Sequence, residues 1–229
     1  MRGRVPPRPV AEIAEAAAGV FITKGYRAAG VSDVATALGL SHGAVYTYAK
    51  SKEALLYLAL LRLARPDALA QLEIPVPTPA PEEIVAVIDG LYSAPSALGG
   101  RRSVPVAEEF GSIIDELYSF IENNRMLLAL IAQCARDLPE LHEFFFVQRR
   151  RASLAAISDY LRRRVKSGAL RPVPDLPTSA RFIVETIAWF AWHRIGDPDS
   201  AMLDDETCRR TVRHLLLSAF LSDQDGATP

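Results

Sequence analysis

Apolar residues recur along this chain at the spacing of a single helical face. Ile13, Ala17, Val20 and Phe21 form the first such stripe, and Ala54, Leu55, Leu58 and Leu61, with Leu60, form the next. Ile84, Val87, Ile88 and Leu91 follow, then Phe110, Ile113, Ile114, Leu117 and Phe120, and Val212, Leu215, Leu216, Ala219 and Phe220 close the series. Sustained period-two alternation is missing, and no Asn-Gly or Asp-Gly pair joins two apolar runs, so strands are not expected. The prolines agree. None lies between Val10 and Arg65, and further proline-free spans run over 106–138, 140–171, 178–197 and 199–228. A proline costs about 3 kcal/mol inside a helix, so these gaps are where helices can run. Prolines gather instead at 75–81 and 172–177, which read as connectors. The pattern predicts an all-α chain of about nine helices without a fixed internal repeat.

Composition narrows the class. At 49% hydrophobic and 23% charged, a chain of 229 residues can bury a sizeable core and is too apolar to be disordered. Its longest apolar run, Met126 to Ala132, falls far short of the roughly 20 residues that span a bilayer. Arg2 and Arg4 are not followed by an apolar run, so a secretory signal is not expected and a cytoplasmic protein is. Cys134 and Cys208 stand far apart with no ligand-spaced partner, as expected of two reduced core thiols.

Charge adds a division. The net charge of −1 argues against a protein coated in positive charge. Residues 1–52, however, hold seven basic side chains (Arg2, Arg4, Arg8, Lys24, Arg27, Lys50, Lys52) and only Glu12, Glu15 and Asp33 as acids, while the remainder is acidic. A short basic module meeting a polyanion, joined to a body that does not, fits this asymmetry.

The segment Gly30 to Tyr46 reads as two short helices joined by a tight turn. Asp33 falls in the first turn of the earlier helix, facing its positive dipole end. Gly39 follows the last helical turn, where a left-handed residue is needed, and Ser41 can cap the next helix. Ala35 must be small where the helices cross, and Val45 meets it there. Ala35, Gly39 and Val45 stand at helix-turn-helix spacing.

The surrounding residues resemble the TetR family of regulators. Tyr46-Thr47-Tyr48 followed by Ser51-Lys52-Glu53 is similar to the end of that family's recognition helix and the start of its fourth helix, and Phe21 to Tyr26 is similar to the end of its first. The resemblance covers about 50 residues in the family's order. It implies a three-helix helix-turn-helix domain over 9–55 behind a basic arm over 1–8. A ligand-binding and dimerisation domain would occupy 56–229, with helix four, about 51–70, connecting the two. It also implies that His42, Gly43 and Tyr46 read bases, and that Thr47, Tyr48 and Lys52 touch phosphates with Lys50 nearby. Ser32, Ser41 and Ala44 complete the DNA face, although Ser32 and Ala44 stand where the family often has Arg and Thr. Gly30 and Ala49 also depart from the usual pattern, where a hydroxyl cap and a Phe that locks the recognition helix are common. These departures leave open a dimeric helical adaptor with a weakened DNA module.

The body carries no motif of comparable strength. Thr178 to Ile195 and Asp204 to Leu221 are apolar over more than one face, which suits pairing with a second copy. The resemblance implies a homodimer through these last two helices, a palindromic operator in double-stranded DNA, and a small, largely apolar effector. Candidate lining residues are Tyr92, Phe110, Ile114, Tyr118, Leu128, Cys134, Phe145, Trp189 and His193. An enzyme is not expected. None of the four histidines follows a carboxylate at metal-pairing spacing, and no nucleophile or phosphate-loop motif occurs. No catalytic residue, metal or cofactor is therefore assigned, and a ligand-responsive repressor is the expected function.

Overall fold

The computed structural model describes residues 8–90, 95–99 and 104–222. Its α-helices are α1 (Val10–Ala28), α2 (Val31–Leu38), α3 (His42–Val45), α4 (Lys52–Ala64), α5 (Pro81–Asp89), α6 (Val106–Asn123), α7 (Arg125–Cys134), α8 (Pro139–His142), α9 (Arg150–Lys166), α10 (Leu176–Ala191) and α11 (Asp205–Phe220). The fold is all-α, as the pattern predicts. Eleven helices appear among the described residues rather than about nine, because pieces as short as α8 leave no periodic trace in the sequence.

Packing divides the chain into two compact units, Met1–Tyr92 with Met126–Gln148, and Ser93–Arg125 with Arg149–Pro229. The first unit runs on past residue 55, and the reason lies in α4. Leu55, Leu56, Leu58 and Leu60 point to different sides of that helix, yet all are buried. A helix apolar all round must be surrounded, and α4 packs on both α1 and α5. Fully burying one leucine is worth about 2 kcal/mol, so α4 lies at the centre of the first unit. It is also shorter than expected. Arg65 leaves helical geometry, and Pro66 opens a 3-10 turn over Pro66–Gln71.

In the second unit α6 packs against α10 and α11, and α9 lies on α10. Phe110 stacks on Tyr160 at 6.0 Å and meets Phe220 edge-on at 5.8 Å. Buried charges are compensated. Glu109 pairs with Arg164, and Arg194 donates to the carbonyls of Phe190 (2.8 Å) and Leu203 (2.6 Å) and pairs with Asp205. The arginine runs serve local packing here: Arg150 pairs with Glu185, Arg162 with Asp159, and Arg163 donates to the Leu98 carbonyl at 2.7 Å. Large apolar side chains are exposed on both α10 and α11. Phe182 and Trp189 on α10 and Leu215 on α11 remain 56%, 38% and 59% exposed.

Candidate DNA-binding site

The site is assembled from the end of α1 onward. Gly25 takes φ +79°, closed to side chains bearing a Cβ, and breaks the helix so that Tyr26 can turn back. The Tyr26 ring lies 5.8 Å from Phe21, and its hydroxyl donates to Glu53 Oε1 at 2.7 Å. Burial, reinforced by Glu53, pushes the Tyr26 hydroxyl well above the usual tyrosine range. The same hydrogen bond holds the Glu53 carboxyl below the ordinary carboxylate range. Lys52 sits 4.4 Å over the Tyr26 ring and donates to the Arg27 carbonyl at 3.2 Å. The start of α4 is thus fastened to the end of α1.

The N-cap of α2 is Gly30, which has no side chain of its own to cap with. At Gly30 the carboxylate of Asp33 accepts from the backbone N–H at 2.8 Å and from Lys24 Nζ at 2.6 Å. Those bonds, the lysine's first, hold the Asp33 carboxyl below its ordinary range. The helix ends at Gly39, φ +64°, and the Leu40 N–H closes the turn on the Ala35 carbonyl at 2.8 Å. Ser41 then caps α3, its Oγ accepting from the Ala44 N–H at 3.3 Å. Ala35 and Val45 are both buried where α2 and α3 meet.

What α3 presents outward is a short polar and aromatic ridge. Ser41, His42, Gly43, Tyr46 and Thr47 are exposed, with Ala44 half-buried beside them. The His42 ring meets Tyr46 edge-on at 5.2 Å, and Thr47 Oγ1 donates to the Ala44 carbonyl at 2.7 Å. A Cβ added at Gly43 would meet nothing within 4 Å. The protein's own packing therefore does not require a glycine there, and the open space faces outward. Ser32 at the start of α2 and Lys50 beyond α3 are also exposed.

Two expected contacts are spent internally. Tyr48 is buried, and its hydroxyl accepts from the Arg8 N–H at 2.7 Å. Lys52 is held by Arg27 and Tyr26 as described. Sequence reasoning missed a further partner: the Lys50 N–H donates to the Val76 carbonyl at 2.9 Å, and the Val76 N–H donates to the Tyr48 carbonyl at 2.8 Å. The only signal was the alternating prolines around Val76, which read simply as a connector.

The expected effector-lining residues do not come together in one unit. Tyr92 lies outside the described residues. Leu128, Cys134 and Phe145 belong to the first unit, where Cys134 is buried and its thiol is pushed up to about 12 by burial and, after that, by Asp137. Phe110, Ile114 and Tyr118 are core residues of the second unit, while Trp189 and His193 are exposed on it. The first unit does hold an open groove of about 310 Å³, floored by Pro81, Val85 and Phe144 and rimmed by Glu82, Glu140 and Glu143. None of the expected lining residues contributes to it. Among the described residues, no cluster of three or more histidine, cysteine or acidic side chains could hold a metal ion, and no helix is long and apolar enough to cross a membrane.

Residues 13–57, from within α1 into α4, match the family model of bacterial regulatory proteins of the tetR family. The chain carries a TetR-family DNA-binding domain. The match ends inside α4, at Tyr57, and so covers the whole exposed ridge. Over 194 residues the chain is 25% identical to the HTH-type transcriptional repressor KstR2 of Mycolicibacterium smegmatis, covering 83% of this chain and 82% of that protein. Its fold is similar to that of the ketosteroid transcriptional regulator KstR2 of Mycobacterium tuberculosis, with a TM-score of 0.62, 20% identity, and coverage of 96% and 98% of the two chains. The TetR-family regulator PfmR of Thermus thermophilus is similar at a TM-score of 0.55 and 26% identity, covering 90% and 97%. Beyond the TetR-family domain, then, the likeness continues through the helical body. These relatives are transcriptional regulators, which points away from catalysis.

Proposed function

We propose that this TetR-family regulator is a cytoplasmic, ligand-responsive repressor that binds a palindromic operator as a homodimer and is released by a small, largely apolar molecule. The observation that carries the reading is the ridge Ser41–Thr47: polar, aromatic and outward, on a helix fixed from behind by buried Ala35 and Val45. His42, Gly43 and Tyr46 read base edges, with Ser32, Ser41 and Ala44 beside them. Thr47 and Lys50 reach phosphates, joined by Lys52 if it leaves the Arg27 carbonyl. Phosphate contacts position the module and base contacts specify the site. Tyr48, expected at a phosphate, instead supports the ridge from within, its hydroxyl accepting from the Arg8 N–H.

Dimerisation through α10 and α11 is supported by exposed Phe182, Trp189 and Leu215, an apolar surface that a single copy leaves in water. Two copies supply the two recognition helices that half-sites one DNA turn apart require. For the effector, the likeness to one protein named as a ketosteroid transcriptional regulator supports an apolar class. Of the expected lining residues, Phe110, Ile114 and Tyr118 share α6 in the second unit and are the ones we assign to the effector. Selection of bound duplexes from a random pool, followed by titration of the selected duplex with apolar candidate effectors, tests the reading. A palindromic consensus released by such a molecule supports it, and binding with no sequence preference overturns it.

A further inference from the structure

The recognition helix is only four residues long, too short to hold its own geometry in water. Its position is therefore set by what it touches, and one of those contacts comes from a segment outside the family-matched region. Val76 and Ala49 form a parallel bridge, with the Val76 N–H on the Tyr48 carbonyl and the Val76 carbonyl on the Lys50 N–H. Both side chains are buried in the core of the first unit. Around them the sequence reads Pro75-Val76-Pro77-Thr78-Pro79-Ala80-Pro81. Four fixed φ angles in seven residues make this a stiff, extended strap that loses little freedom on pairing. Its far end is fastened as well: Pro81 opens α5, and the Ala80 N–H donates to Glu83 Oε2 at 2.7 Å.

We infer that this strap, through Val76, positions the recognition helix for DNA. Ala49 is 1% exposed and pairs with Val76 where the strap crosses it. Val76 is a positioning residue: it lies behind Tyr48 and Lys50, not on the exposed ridge. The inference rests on the DNA-binding reading for its consequence, but the clamp itself is a property of the free protein.

The test uses the full chain. Val76→Pro removes the N–H that bonds Tyr48 while keeping the segment extended. The Lys50 N–H keeps its acceptor, the residue 76 carbonyl, but with the neighbouring bond of the bridge gone it should open more often, and we expect its exchange with solvent to be about tenfold faster, with amides of Ile13 to Phe21 unchanged. Affinity for the duplex selected by the wild-type protein falls about tenfold by the same measure, and affinity for random duplex changes little. In a second variant, Ala49→Cys with Val76→Cys, oxidation locks the strap in place. The oxidised protein is expected to bind the selected duplex within about twofold of the reduced one, since no hydrogen bond is lost. This variant decides the matter if Val76→Pro loses its helical circular dichroism. An unchanged Lys50 exchange rate, unchanged affinity in a folded Val76→Pro protein, or weaker binding by the locked form overturns the inference. If the wild-type protein selects no duplex, the proposed function falls, and the exchange rates still show whether the strap holds the helix.

Discussion

Gly43→Ala should make this protein more stable and a poorer DNA binder at once. Gly43 is the second residue of α3, and an added methyl would meet nothing within 4 Å. Alanine is preferred to glycine inside a helix by about 0.5–1 kcal/mol. For a chain of this size 1 kcal/mol raises Tm by about 2–4 °C, so a rise of about 1–4 °C is expected. The cost appears only against DNA. A methyl forced between closely packed surfaces costs about 1–3 kcal/mol, and the lower half of that range is about tenfold in affinity. Gly19, exposed on α1 and equally unobstructed, provides the control. Gly19→Ala should gain similar stability and bind DNA as the wild type does. The assay pairs thermal unfolding with fluorescence anisotropy on a duplex selected by the wild-type protein. Full affinity in Gly43→Ala would refute the assignment of this end of α3 to the protein–DNA interface.

Other perturbations probe the supports behind the ridge. Ala35→Leu overfills the crossing with Val45; a loss of about 1–3 kcal/mol in urea unfolding is expected, with DNA binding lost in parallel. Tyr26→Phe removes the donor that depresses the Glu53 carboxyl. Because that carboxyl titrates lower folded than unfolded, its contribution is present above the free carboxylate value and fades as pH drops through the folded one. Urea unfolding of the wild type should therefore lose stability on acidification in that window, and Tyr26→Phe should show a shallower acid dependence. Trp189→Glu with Leu215→Glu is expected to turn a dimer into a monomer by analytical ultracentrifugation and to abolish operator binding; a dimer that persists would place the interface elsewhere. Cys134, buried with its thiol pushed up to about 12, should resist iodoacetamide at neutral pH until the protein is unfolded, as followed by mass spectrometry.

Much of the DNA-binding module could be read from the chain because its determinants are local. Gly39 in the left-handed region, Ser41 as a cap, and Ala35 and Val45 at the crossing lie within eleven residues, and each does in the structure what its type and spacing imply. The charge division was legible too, although its parts were not. Lys24 and Arg27 looked like available cations, yet they pair with Asp33 and Asp137. Asp137 is 110 residues from Arg27, and no local rule points to it.

The sequence by itself determined the helical class, the turn chemistry from Gly30 to Ser41, and which side of α3 is polar. Such features follow from backbone preferences and periodicity within one or two turns of chain. Tertiary structure alone decided where the units divide, because burial of α4 on all sides depends on which helices surround it. It likewise decided that Tyr48 turns inward to Arg8 and that Val76 pairs with the end of the recognition helix. A hydrogen bond between residues 28 positions apart, Tyr48 and Val76, leaves no periodic signature; it exists because two stiff segments are brought side by side by a core that neither of them encodes alone.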